Sequence, residues 1–278
     1  MSSRAASRRR NAILLHAVLV PLAIVWLFPI WLMVVFASLP EQALYQPGVR
    51  LWPGTEFLAN FRALEANTGF SRSIFNSVVV AVVYTALSIL LTSMAGWALA
   101  RYRFHGKGVV AGIVLGTMTL PFFVLVIPQF IMVARDFGLS NTWFALIVPP
   151  LFNALGVLFM RQTFITMPND LFDAARVEGV TEWQIFTRVA IPMARPTMAA
   201  LAIILFLSSW NNYLWPLLIA TSPDMMTAPV ALGSLIGLTQ ISWGGIMVGS
   251  VLLTVPMLIL FIILQRHFVS GIANGAIK

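Results

Sequence analysis

Six stretches of the chain, at residues 12–36, 74–100, 109–134, 143–160, 197–220 and 245–264, contain no Asp, Glu, Lys or Arg. A membrane span needs roughly 20 apolar residues, with a range of ~17–25, and each stretch meets that requirement. Lipid offers no partner to a backbone N–H or C=O, so each group must be bonded within its own segment. The pattern therefore predicts six transmembrane helices in an all-α, polytopic membrane protein forming one domain over 1–278. The first stretch follows Arg4, Arg8, Arg9 and Arg10. It exceeds the ~7–15 apolar residues of a cleavable leader, so it is expected to remain as a span.

Polar residues between the stretches give the orientation. With the N-terminus in the cytoplasm, 13 of the 17 Lys and Arg fall on that side, against 4 of the 9 acidic residues. Such an excess of basic residues marks cytoplasmic loops. Both termini are expected inside, in a multi-pass protein of a bacterial or archaeal cytoplasmic membrane. Hydrophobic residues make up 59% of the 278, and charged ones 9%, where a soluble domain carries roughly 25% charged. A net charge of +8 is scattered between spans, which suits a lipid bilayer and gives no nucleic-acid surface. The absence of cysteine excludes disulfides and thiolate sites.

Outside the spans, residues 37–73 hold Pro40, Pro47, Pro53 and Gly54 and read as a turn-rich external loop, with a short interfacial helix at 56–67. Residues 221–240 read as a second, irregular external cap. The long cytoplasmic connection, 161–196, is different, because a loop of this length in a compact protein usually has structure or work of its own. It predicts two short helices. Pro168 precedes the first, Asn169 or Asp170 caps it, and Asp170 and Asp173 complement its dipole. Gly179 supplies a left-handed turn, Thr181 caps the second helix, and Pro192 and Pro196 end it. Ala174 and Ala175 make the first helix small-faced, while Ile185, Phe186 and Val189 form an apolar stripe on the second. Two readings fit: a knob that docks a cytoplasmic protein, or an amphipathic helix on lipid headgroups with Arg176, Arg188 and Arg195 toward anionic lipid.

This segment resembles the EAA loop of binding-protein-dependent ABC importers, through which a permease grips its ATPase. Asp173-Ala174-Ala175, Gly179 and Val189-Ala190-Ile191-Pro192 match that spacing, with Asp173 for the usual Glu and Glu178 before the Gly. MRQTF at 160–164, WNNYLWPLL at 210–218 and QRHFVSGIANGAIK at 265–278 are similar to the second permease subunit of maltose-type importers. QALY at 42–45 and PGT at 53–55 are similar to its glycerol-3-phosphate branch. The resemblance implies ATPase coupling through Asp173, Ala174, Ala175, Glu178, Gly179, Ile185, Phe186, Ile191 and Pro192. It further implies a tail, including Gly271, Asn274, Gly275 and Lys278, that contacts the ATPase. The implied assembly contains a second homologous permease, two ATPase subunits carrying ATP and Mg, and an external solute-binding protein. A small-molecule solute, a sugar or related polyol, is the cargo.

No Walker A motif occurs, so this chain is expected to bind no cofactor and to hydrolyse no ATP. His16, His105 and His267 are scattered at membrane edges and predict no metal site. Polar groups inside spans either line a wet path or bond between helices. Trp210, Asn211, Asn212 and Tyr213, with Gln129 and Asn153, are the candidates for the path. Gly112 with Gly116, and Gly245 with Gly249, are expected to let helices approach closely, and Pro121, Pro128, Pro216 and Pro256 to kink them. An ion-coupled secondary transporter is the alternative class, but it calls for ionisable relays in mid-membrane, and the spans carry none. An intramembrane enzyme would need a placed nucleophile and base, which are equally absent from the spans.

Overall fold

The computed structural model describes the backbone of residues 2–48, 50–237 and 242–276, and side-chain surroundings for 13–48, 50–236 and 242–263. Every regular element among them is helical. In chain order these are α1 (Ser2–Ala37), α2 (Glu41–Leu44), α3 (Phe57–Thr68), α4 (Phe70–Arg101), α5 (Lys107–Thr117) and α6 (Phe122–Phe130). Then follow α7 (Trp143–Ile147), α8 (Ala154–Ile165), α9 (Asn169–Val177), α10 (Glu182–Gln184) and α11 (Ile191–Trp210). The last are α12 (Leu214–Ile219), α13 (Ala228–Ser234) and α14 (Trp243–Ala276). Among the described residues, four segments are long and apolar enough to cross a membrane: Ile13–Ala37, Phe70–Arg101, Glu182–Trp210 and Trp243–Ile263.

The other two predicted spans are broken. Lys107–Thr117 meets Phe122–Asp136 at 97°, and Trp143–Leu151 meets Ala154–Ile165 at 51°. Pro121 stands in extended backbone at the first break, where its missing N–H and fixed φ stop α5 from running on. Pro149 and Pro150 open a 3-10 turn at the second. The stretch predicted at 197–220 is also divided: α11 ends at Trp210, and α12 starts afresh at Leu214. Conversely, Pro192 and Pro196 do not end the second cytoplasmic helix. It continues from α10 through a π-helical turn, Ile185–Ala190, into α11. The wider π turn, with its i→i+5 bonding, gives the Pro192 ring room that an α turn would deny. The predicted external cap at 221–240 contains α13 rather than irregular chain alone.

The chain divides into two compact units, 1–70 with 232–255 and 71–231 with 256–278. In the first, Asn60 is buried and its amide donates to Ala37 O (3.0 Å) and Leu39 O (2.8 Å), anchoring α3 beneath the end of α1. The Glu41 carboxylate accepts from the N–H groups of Trp243 (2.8 Å) and Gly244 (3.0 Å), so it caps α14 from 200 residues away in sequence. An anion at this positive helix end is stabilising. We expect Glu41→Ala to cost about 1 kcal/mol, read as an earlier thermal-aggregation midpoint in detergent; an unchanged midpoint would show that the cap is redundant. Of the two predicted glycine pairs, Gly245 and Gly249 are packed: a methyl group on Gly249 would stand 2.5 Å from Leu232 Cδ1 and 3.3 Å from Phe70. Gly112 and Gly116 meet nothing within 4 Å among the described residues, so their close-packing role is not realised within this chain.

The second unit holds the main core. Trp97 lies edge-on to Phe164 (5.3 Å between centroids) and Phe172 (5.2 Å), and tilted against Phe186 (5.8 Å). This aromatic box joins α4, α8, α9 and the π turn. The α4–α8 crossing is close because each helix contributes a glycine, Gly96 against Met160 and Gly156 against Thr92.

Candidate functional site

The cytoplasmic connection forms a helical elbow. Pro168, rather than Asn169 or Asp170, occupies the N-cap of α9, and Asp170 lies in its first turn, where its charge suits the dipole. Gly179 has φ +79°, the left-handed conformation that costs an L side chain roughly 1–2 kcal/mol. Its N–H bonds Arg176 O (3.0 Å), and the N–H of Val180 bonds Ala175 O (3.0 Å). This pair of bonds is a Schellman motif, with Val180 and Ala175 both tucked against the core. Thr181 then starts the second helix with a reciprocal box: the Gln184 N–H donates to Thr181 Oγ1 (3.3 Å), and the Thr181 N–H donates to Gln184 Oε1 (3.1 Å).

Charge ties the two arms together. Arg176 bonds Asp173 Oδ1 (2.8 Å) and Glu182 Oε1 (2.7 Å), and Tyr102 donates to the other Glu182 oxygen at 3.0 Å. The hydrogen bond to Glu182 is the main cause that pushes the Arg176 pKa above its ordinary value. These groups are well exposed, so each pair contributes about 0–1 kcal/mol; their effect is to hold geometry.

The predicted contact residues separate in space. Ile185 and Phe186 are 0% and 4% exposed, packed in the chain's own core, so the apolar stripe holds the elbow and offers no surface. Ala175, Ile191 and Pro192 are half-buried. Asp173, Ala174, Glu178 and Gly179 face outward, joined by Leu171 and by Val177, which is 89% exposed. Leu171, Ala174 and Val177, spaced three apart on α9, form an outward apolar line that the sequence analysis missed; their i, i+3, i+6 spacing is its signal. Gly271, Asn274 and Gly275 fall on the backbone of α14, which is helical to Ala276; their side chains and Lys278 lie outside the described residues.

A cavity of about 760 Å³ opens in the second unit. All three helix breaks contribute to its lining: Thr117, Met118 and Phe122 at the first, Pro149, Pro150, Phe152 and Asn153 at the second, and Ser208, Ser209, Asn212 and Trp215 at the third. In a membrane protein irregular backbone is tolerated where it lines a cavity, and all three breaks contribute to this one. Gln129, Asn153 and Asn212 meet here, with Tyr84, Ser208, Ser209 and Trp215. Gln129 donates to Pro149 O at 3.3 Å. Asn153 Oδ1 accepts from the Gly156 N–H (2.7 Å) and Asn212 Oδ1 from the Trp215 N–H (3.4 Å), each capping the helix after a break. Trp215 is held by its own indole bond to Ala145 O (2.9 Å).

Three predicted path residues are elsewhere. Trp210 is buried, stacked on Phe206 at 5.6 Å. Asn211 caps α11 and donates to Leu207 O at 3.0 Å, while Tyr213 is exposed outside the cavity lining. Helical spacing fails here because the helix ends at Trp210.

Comparison with known proteins places this architecture. Residues 88–274 match the family described as binding-protein-dependent transport system inner membrane component. The arabinooligosaccharides transport system permease protein AraQ of Halalkalibacterium halodurans is 36% identical, covering 92% of this chain and 93% of its own length. The lactose transport system permease protein LacG of Rhizobium radiobacter is 34% identical, covering 98% of both. The sn-glycerol-3-phosphate transport system permease protein UgpE of Escherichia coli is 30% identical, over 94% of this chain and 95% of its own. A chain from the crystal structure of a bacterial ABC transporter importing the acidic polysaccharide alginate shares the fold, with TM-score 0.78 at 24% identity over 94% and 98% of the two chains. The chain belongs to the binding-protein-dependent transport system inner membrane component family: it is a permease subunit of an ABC importer, seated in the inner membrane.

Proposed function

We propose that this chain forms half of the translocation path for a neutral saccharide, paired with a second homologous permease and driven by two ATPase subunits that hold the ATP and Mg. Six segments cross the bilayer in this reading, the bent pairs counting as one each, with both termini cytoplasmic. An external solute-binding protein delivers the cargo. Asp173, Ala174, Glu178 and Gly179, with Leu171 and Val177, dock into the ATPase, and the tail at 265–278 adds a second contact. The chain itself performs no catalysis.

One observation carries the choice of cargo. Every residue lining the cavity is uncharged, and its polar groups are amides, hydroxyls and an indole beside aromatic faces. Amides and hydroxyls hydrogen-bond sugar hydroxyls without the desolvation of a buried charge, while aromatic rings cover the apolar faces of pyranoses. A phosphate or carboxylate would call for an Arg or Lys, and none lines this cavity. Among the solutes in its relatives' names, arabinooligosaccharides and lactose fit this lining better than sn-glycerol-3-phosphate.

The test is uptake into vesicles holding the assembled complex with its binding protein, offered lactose, arabinooligosaccharides and sn-glycerol-3-phosphate. Uptake of a neutral sugar is expected, and Asn212→Ala should raise its half-saturating concentration about two- to tenfold, the loss of one neutral hydrogen bond. Transport of glycerol phosphate alone, or unaltered kinetics in Asn212→Ala, would refute the assignment.

A further inference from the structure

Arg101 is the last residue of α4, and its guanidinium lies in the joint between α8 and α9. It donates to Phe164 O and to Met167 O (2.8 Å), carbonyls where α8 ends, and to Asn169 Oδ1 at the first residue of α9. Helix C-termini leave carbonyls unpartnered and carry a negative dipole end, so a cation with a planar fork of donors suits this place. The same guanidinium lies 4.4 Å from the Phe172 ring centroid and 5.8 Å from that of Trp97. One side chain thus grips the root of the elbow from three sides.

Midway along the same helix, Val80 and Tyr84 line the cavity. Seventeen residues separate Tyr84 from Arg101, about 25 Å of continuous helix at ~1.5 Å per residue. α4 has no proline over that length, and the Gly96 and Gly156 contacts lock it to α8.

We infer that Arg101 is a positioning residue that makes the elbow and α4 move as one body, so that displacement of α9 by its partner reaches the cavity wall through α4. This route is additional to the covalent one through the π turn and α11. Tyr102 strengthens it, since its hydroxyl bonds Glu182 on the second arm and accepts from Trp97 Nε1 at 3.4 Å. The inference rests on the docking role proposed for the elbow.

With no cysteine in the chain, one spin label can be placed at Asp170, exposed in the first turn of α9 and outside the docking set, and one at Met94, exposed on α4. The assembled complex in nanodiscs is measured without nucleotide and with ATP, Mg and vanadate. One narrow Asp170–Met94 distance in both states is expected for the native chain. In Arg101→Met the nucleotide state should show a second, displaced population, and Arg101→Lys, which keeps the charge but lacks the fork, should only partly restore the single distance. Asn169→Ala, which removes one acceptor, should act in the same direction and covers the case in which Arg101→Met fails to fold. A fall in elbow–cavity coupling should accompany this, within the roughly 5–150-fold range of coupled sites, read as ATP-driven quenching of a fluorophore at Met118 in the cavity wall. Identical narrow distances in the native chain and all three variants would overturn the clamp. Failure of the native complex to hold its ATPase on purification would instead refute the docking role, so the two failures are distinct.

Discussion

Replacing Gly179 by valine is expected to abolish solute uptake while leaving the chain in the membrane at normal levels. At φ +79° a β-branched side chain is strained by roughly 1–2 kcal/mol or more, and the Schellman bonds through Gly179 and Val180 are lost with the turn. A methyl group at this position would meet nothing within 4 Å, so the damage comes from the backbone and the proposed docking face, with no clash inside the chain. Gly179→Asn provides the control, because asparagine tolerates the left-handed region and should keep most of the uptake and the co-purifying ATPase. Equal loss in both variants would move the cause from turn geometry to the bare surface that glycine presents. Normal uptake and normal ATPase recovery in Gly179→Val would remove the elbow from the coupling path altogether.

Local chemistry explains why this turn is legible in the sequence. Gly179 followed by Thr181 is a helix stop and a helix start encoded within three residues, and both are found where the pattern puts them. The spans at 12–36, 74–100 and 245–264 are equally legible, because a charge-free apolar run needs no partner to be helical in lipid. What fails is everything that depends on distant contacts. The stripe of Ile185 and Phe186 is read correctly as something to be covered, but the cover is Trp97 and Phe164 of the same chain, which no local period reveals. Hydropathy is likewise blind to the breaks beside Pro121, Asn153 and Asn212, since no charged residue marks any of them and each lies within a predicted span. Yet each break has a local signature of its own. Pro121, Asn153 and Tyr213 are the N-caps of the helices that follow, and the Asn153 and Asn212 side chains accept from N–H groups in the first turn of those helices. Asn211, which looked the best path residue, is a helix C-cap for the same reason: the chain turns there.

The second large effect is expected at Gly96. A Cβ there would stand 2.8 Å from both the backbone N of Arg161 and the Cβ of Met160, and neither atom can yield without moving α8 as a whole. Overpacking of this kind costs typically 1–3 kcal/mol and occasionally more, and contact with backbone places Gly96→Val at the upper end, about 3 kcal/mol. The measurable result is a sharply lowered aggregation midpoint and yield in detergent, with Gly156→Val behaving alike through Thr92 at 2.8 Å. Gly112→Val is the matched comparison, since it lies in open space and should fall within about 0.5 kcal/mol of the native chain. The pairing is invisible to a search for glycines four apart in one helix, because α4 and α8 each supply one glycine and the opposing larger residue one turn away. Its consequence reaches beyond stability. Gly96 lies five residues before Arg101 on α4, and α8 is the helix whose last carbonyls Arg101 holds. If Gly96→Val proves as stable as the native chain, α4 and α8 are not locked, and α4 loses the rigidity needed to carry motion from the elbow to the cavity.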